Sequence, residues 1–502
     1  EQEERRGRWL STGWIAYTPR PISTHMPNSE RIIVGIDVGT HKICSIVAEA
    51  ANGPGNRLNV LGVGAVASEG VAKGMITDLG KASAAISHSL EAAERQSGCR
   101  ILSAYVSMSG NHISSMNTRG LVAVAHEDRI IGQDDVVRAV EAARVMAMPA
   151  GREILHVVPR GYTVDGQEGI RNPVGLSGFR LDVETHVVTC ASNVRENLIR
   201  CVQQADVEVD DLVLSPLASA EAVLTEQEKN LGVVLVDIGH GTTDVSIYVD
   251  GSVWHTKVLP VGGWHLTNDL VIVFNIPYEA AEALKLQYGR AVVPGTSQFI
   301  PQPQAHTVNG KANSPVRQNA AGASAANGSN GLSGDGRGTV VAFTEREEVR
   351  PALEDEMLET TTFEGSPRQI PRSELNEVMA ARFEQLFSMV GDEIRRSEYE
   401  GLLPAGVVLT GGVSRMPGID TLASHRLKMP VRIGRPQRIG GLADVFESPA
   451  YAASVGLVLW GMKQSGPASP SPLLPRARRG STSDLGQAGT LAKWLKGFLP
   501  HG

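Results

Sequence analysis

The chain has 502 residues, 42% hydrophobic and 20% charged, a globular balance with room for about two to four domains. A net charge of -7 excludes the strongly basic field that nucleic-acid binding needs. The four cysteines, Cys44, Cys99, Cys190 and Cys201, show no CxxC and no His–Cys metal spacing, and read as reduced core residues of a cytosolic protein.

Residues 1–30 open on a charged run, carry Pro19, Pro21 and Pro27, and are expected to be disordered. They show no apolar signal-peptide region, and no apolar run in the chain reaches bilayer length. Met26 precedes the first strand and is the expected native start, with residues 1–25 extra. Ile32–Ile36 then reads as a strand ended by Asp37. Gly39, Thr40, His41 and Lys42 turn the chain, and Ile43–Ala48 leaves as a second strand. A strand at Leu58–Ala67, a helix at Asp78–Gly98 and a strand at Ala104–Met108 follow. The block from Gly110 to Val187 has an α+β pattern of its own, with a loop at Tyr162–Ser177, and reads either as an insertion devoted to contacts or as a continuation of the first domain.

The opening pattern returns at Val233–Ile238. Asp237 closes a valine-rich strand, Gly239, His240, Gly241, Thr242 and Thr243 turn it, and Val245–Val249 alternates away. Each turn by itself suits an ordinary hairpin. Two of them, roughly 200 residues apart, suit a duplicated domain. Glycine-rich turns gather backbone N–H groups into anion nests, so the pair could hold both ends of a triphosphate. Asp37 and Asp237 would then face its Mg²⁺ through water, a cation that keeps waters and takes few carboxylates. The alternative for each Asp is a local Asx-turn.

A helix at Pro277–Tyr288 places Glu282 and Lys285 on one face. Residues 291–337 are poor in large apolar side chains and read as a disordered loop, and order is expected to return at Pro371. Ser373–Arg396 is a long amphipathic helix whose polar face carries Arg382 and Glu384. Gly411, Gly412, Val413 and Ser414 follow a third apolar strand, where glycines let backbone approach a ribose or flat ring. After a Pro-rich linker, Leu491, Trp494, Leu495, Phe498 and Leu499 form one apolar stripe, with Lys493 and Lys496 off it. That segment is too short to span a bilayer and suits an amphipathic helix that folds on an anionic membrane surface, the alternative being a helix docked on the protein's own core.

The three glycine junctions in this order resemble the actin, Hsp70 and sugar-kinase superfamily. Ser109-Gly110-Asn111-His112-Ile113, Val157-Val158-Pro159-Arg160-Gly161-Tyr162, Gly169–Gly178 and Val407–Gly412 resemble the FtsA family of bacterial cell-division actin homologues. The resemblance implies an α/β, actin-like ATPase fold: two RNase H-like halves around a nucleotide cleft, with an inserted SHS2-like subdomain of the 1C type. It implies ATP and Mg²⁺ as cofactors and weak ATPase activity at most. Gly39–Lys42 and Gly239–Thr243 would hold the phosphates, with Glu282, Lys285 and Gly411–Ser414 on the adenosine side. Arg382 and Glu384 would meet the FtsZ C-terminal peptide. The 1C block would serve self-assembly into filaments and contacts with other division proteins. The protein would sit peripherally on the cytoplasmic face of the inner membrane at the division site, anchoring FtsZ filaments.

The expected domain division is 1–30 as an N-terminal extension, 31–108 as subdomain 1A, 109–187 as 1C and 188–230 as 1A again. Residues 231–274 form 2A, 275–403 form 2B with a disordered insertion at 291–369, and 404–460 complete 2A and 1A. Residues 461–488 are the linker and 489–502 the membrane helix. Three features depart from the expected pattern: His240 replaces a glycine common in the superfamily, the 291–369 insertion is longer than the family pattern and has no assigned role, and Ser215 stands where chaperone-like members carry a Glu. Rival readings are an actin-like pilus-assembly adaptor, which should lack the amphipathic tail, and a sugar-type kinase, for which no catalytic-Asp motif is evident. A chaperone would need a long β-rich domain after residue 460.

Overall fold

The computed structural model describes residues 32–50, 58–145, 151–292, 356–437, 439–441 and 446–464. The N-terminal extension, the linker and the expected membrane helix, with Leu491 to Leu499, lie outside them.

Two sheets repeat one plan. In the first half, the hairpin Ile32–Val38/Lys42–Ala50 is extended by antiparallel Leu58–Ala67 on one side. On the other, Ser103–Met108 and Glu208–Leu214 run parallel. In the second half, the hairpin Val233–Ile238/Thr243–Val249 is extended by antiparallel Ser252–Leu259 and by parallel Val407–Thr410 and Val431–Ile433. In the central strands nearly every side chain is buried, including Val233 to Val236. Continuous apolar runs of this kind suit sheets covered on both faces. Two apolar clusters result: one spans the first half and the inserted block and takes in Val233, Leu235 and Val408 from the second sheet, the other lies within the second half, and each Asp falls at the mouth of its hairpin.

Local signals set several boundaries. Asp78 caps the helix Leu79–Ser97 by accepting from the Lys81 N–H, and Gly98 ends it in the left-handed region at φ 69. The helices Ser215–Val223 and Ala452–Gln464 cross beneath the cleft. A Cβ on Gly456 would lie 1.8 Å from the Ala218 carbonyl oxygen, so this crossing admits only glycine.

The inserted block holds a four-stranded antiparallel sheet, Ser114–Ala123, Arg180–Ala191, Arg152–Val164 and Gln167–Ile170, covered by the helix Gln133–Val145. Part of the stretch expected as a loop is thus strand. Gln167–Ile170 is an exposed edge whose polar residues hide the alternation. The block also docks on the second half. Ser115 Oγ donates to the Thr256 carbonyl at 2.8 Å, and buried His186 meets Thr256 Oγ1 at 3.0 Å. The Arg160 guanidinium lies 3.6 Å from the Trp254 ring centre.

The expected disordered insertion contains a hairpin, Met357–Thr361 paired with Pro367–Pro371. Leu358 and Ile370 bury themselves in the second core and hold it there. One apolar anchor per strand is too little signal for periodicity to reveal. A helix at Gly263–Phe274, absent from the sequence expectations, packs beside Tyr278–Tyr288 and Arg372–Arg396. Among the described residues no helix is long and apolar enough to cross a membrane.

Candidate functional site

The two hairpin turns close identically: Gly39 N–H donates to the Lys42 carbonyl at 3.1 Å, and Gly239 N–H to the Thr242 carbonyl at 2.9 Å. At their bases the carboxylates are held by hydroxyls. Asp37 accepts from Ser107 at 2.8 Å and from Ser454 at 3.0 Å. Asp237 accepts from Ser219 at 2.5 Å. Ser219 and Ser454 belong to the two crossing helices, so the crossing orients both acids. Burial pushes Asp237 up to about 6, with the charge of Asp37 adding to it.

Lys42 lies within electrostatic reach of both acids. Its ammonium donates to the Ala450 carbonyl at 2.7 Å and lies 3.4 Å from the Tyr451 ring centre. Burial lowers its pKa against the opposing pull of Asp37 and Asp237. The turn tips meet across the cleft. The rings of His41 and His240 are 5.0 Å apart, and a Cβ on Gly241 would lie 2.8 Å from Thr40 Oγ1. Burial lowers His240 to about 4, so it is neutral at pH 7, and its Nε2 faces the Tyr278 hydroxyl at 3.3 Å.

On the second half, Lys285 Nζ meets Glu282 Oε2 at 2.6 Å, Thr267 Oγ1 at 2.8 Å and the Gly263 carbonyl at 3.4 Å. Burial alone would raise Glu282, but hydrogen bonds from Lys285 and Thr267 hold it below the usual range. Gly411 is left-handed at φ 87, and a Cβ there would lie 2.4 Å from Asp237 Oδ1. Val413 packs toward Gly263, Ser414 Oγ donates to the Gly411 carbonyl, and Gly412 faces open space. Gly239–Thr243, Glu282, Lys285 and Gly411–Ser414 therefore converge on one wall, opposite Gly39–Lys42. The Thr243 hydroxyl is turned away, donating to the Val261 carbonyl at 2.8 Å.

Arg382 stands apart from this cleft. Its guanidinium holds both oxygens of Asp269, at 2.5 and 2.6 Å, and so ties the long helix to Gly263–Phe274. Glu384 is half-buried on the same long helix. Three further residues escaped the sequence reading: Thr267 and Asp244 of the cleft, and Asp269, which holds Arg382 apart from it. Thr267 and Asp269 lie on the helix Gly263–Phe274, whose Leu266, Leu270 and Phe274 at i, i+4 and i+8 were the available signal. Asp244, in the second hairpin, accepts from Ser109 at 2.7 Å and is buried. Its place in an alternating strand was the available clue.

The inserted block, residues 110–189, matches the family model described as the SHS2 domain inserted in FTSA. Residues 234–456 match the model for Cell division protein FtsA. A Cell division protein FtsA of Pseudomonas aeruginosa is 38% identical over 439 residues, covering 87% of this chain and 90% of that one. The chain belongs to the FtsA family.

A second FtsA, from Borreliella burgdorferi, is 34% identical over 440 residues, 87% of this chain and 92% of its own. Among solved structures, the PilM-PilN type IV pilus biogenesis complex aligns at a TM-score of 0.54 with 14% identity, over 86% of this chain and 98% of the other. That likeness concerns the fold. The FtsA assignment carries a cell-division role on an actin-like ATPase scaffold with the SHS2 domain inserted.

Proposed function

We propose that the protein binds ATP with Mg²⁺ between its halves, polymerises on the cytoplasmic face of the inner membrane and anchors FtsZ filaments at the division site. The observation that carries this reading is the duplicated Asp–Gly turn, faced across one cleft with both carboxylates oriented by serine hydroxyls. The donors fit the group. Paired Gly turns suit phosphate oxygens, and two carboxylates suit a hard, hydrated Mg²⁺. Gly39–Lys42 and Gly239–Thr243 would take the phosphates. Asp37 and Asp237 would face the metal through water, and Glu282, Lys285 and Gly411–Ser414 the nucleoside.

Bound ATP would act by favouring the closed arrangement of the halves, a population shift that exposes or hides assembly surfaces. Filament contacts and other division partners fall to the inserted block. The FtsZ C-terminal peptide falls to the long helix around Arg382 and Glu384. The tail, Leu491 to Leu499, binds lipid weakly as a single copy, and a polymer multiplies it through avidity. The pilus-adaptor reading rests on fold alone, at 14% identity.

Imaging the purified protein with ATP on anionic bilayers, with and without FtsZ, tests this reading. Filaments that recruit FtsZ to the bilayer are expected. Lipid-bound protein that leaves FtsZ in solution overturns it.

A further inference from the structure

A small hairpin, Val71–Ala72 paired with Met75–Ile76, reaches into the cleft mouth. Its two tip residues are both left-handed, Lys73 at φ 50 and Gly74 at φ 76. A two-residue turn with both φ values positive is type I′, for which Asn-Gly or Gly-Gly is the favourable pair. Lysine at the first position is strained, and strain of this kind collects where a particular side chain is needed.

The location supplies the need. Gly74 N–H donates to Thr40 Oγ1 at 3.4 Å, which fixes the tip against the first turn. A Cβ on Gly241 would lie 3.2 Å from Lys73 Cα, which sets it against the second turn. The His41–His240 pair lies at the same junction of turn tips. The Lys73 ammonium is 5.9 Å from the Trp264 ring centre, and its charge adds to burial in lowering His265. Lys42 is balanced by Asp37 and Asp237, and Lys285 is paired with Glu282. Lys73 has no carboxylate partner among the described residues. An exposed lysine thus sits on a hairpin tip whose backbone touches both Gly turns.

We propose that Lys73 is a phosphate-binding residue of this cleft, delivered by the hairpin to the polyphosphate of the nucleotide. The proposal rests on the ATP reading above. Lysine binds phosphate as a point charge, so the contact adds affinity without demanding bidentate geometry.

The test is Lys73→Asn in the full-length protein, with ATP affinity measured at several salt concentrations and thermal stability measured without nucleotide. Asparagine suits the turn, so the melting temperature is expected to hold or rise. ATP affinity is expected to fall about tenfold or more, the scale of one charged hydrogen bond. The salt dependence of binding should become shallower. Lys73→Arg should retain most of the affinity. A stable Lys73→Asn protein that binds ATP like wild type, with the same salt dependence, overturns the proposal. Wild type that binds no ATP overturns the nucleotide reading itself, a result distinct from the first.

Discussion

Ser109 of the first half donates its hydroxyl hydrogen to the Asp244 carboxylate of the second, at 2.7 Å, across a separation of 135 residues in the chain. Burial pushes Asp244 from 3.8 up to about 8, and the charges of Asp237 and Asp37 add to the rise. The folded state therefore holds this proton more tightly than the unfolded chain. Its stabilising effect is full below about pH 4 and is lost as pH rises through about 8. Asp244→Asn keeps the shape and removes the ionisation. Its unfolding free energy relative to wild type should climb from pH 4 to pH 8, reaching an advantage of about 1 kcal/mol or more, as chemical denaturation at each pH would measure. A difference that stays flat across this range would show that Asp244 does not hold a proton in the folded state.

ATP turnover should be slow. Ser215 opens the helix beneath the cleft, just before Pro216, where chaperone-like relatives carry a carboxylate, and Asp244 is largely protonated at neutral pH. Phosphate release should fall far below the enzyme median of about 10 per second. A rate near that median would favour the kinase reading.

Gly239→Asp should fold, because its Cβ meets only the Thr242 carbonyl, at 3.1 Å. Its carboxylate would face phosphate oxygens in a partly desolvated site, at a cost of several kcal/mol, so about a thousandfold loss of ATP affinity is expected. Gly411→Ala should behave differently. It must occupy φ 87 and displace Asp237 Oδ1, so stability itself should fall by about 1–3 kcal/mol. Chemical denaturation with and without ATP separates the two variants.

Arg382→Glu leaves Asp269 facing a second carboxylate and should lower stability by about 1–2 kcal/mol. Exchanging the charges, Asp269→Arg with Arg382→Glu, should recover most of that loss. Binding of the FtsZ C-terminal peptide is then best measured in the exchanged protein. Loss of peptide binding there, with the fold restored, assigns Arg382 to the partner site. Retained binding moves the site elsewhere.

Trp494→Glu should release the protein from anionic liposomes while leaving ATP binding and thermal stability unchanged. Each apolar side chain of the stripe would contribute about 1.5–3 kcal/mol on burial in lipid, so one charge at its centre removes much of the affinity. Undiminished co-sedimentation would mean that the tail is not the anchor.

The sequence by itself determined what is written in short periods. Both Asp–Gly hairpins, the helix between Asp78 and Gly98 and the long helix ending at Arg396 follow from alternation, helical spacing and caps within a few residues of each other. Only the tertiary structure decided which distant residues share the cleft. Lys73 enters it because a two-strand hairpin lies between the turns, and Asp244 because its strand meets the end of another. The hairpin anchored by Leu358 and Ile370 is stabilised by packing on the second core, with one apolar anchor per strand and no local pattern to show it, whereas the helix Gly263–Phe274 carries Leu266, Leu270 and Phe274 at helical spacing. Arg382 looked free for a partner on its helix, and Asp269, 113 residues away, already holds it. Local periodicity specifies the elements, while charge pairing and approach across the halves arise when those elements pack.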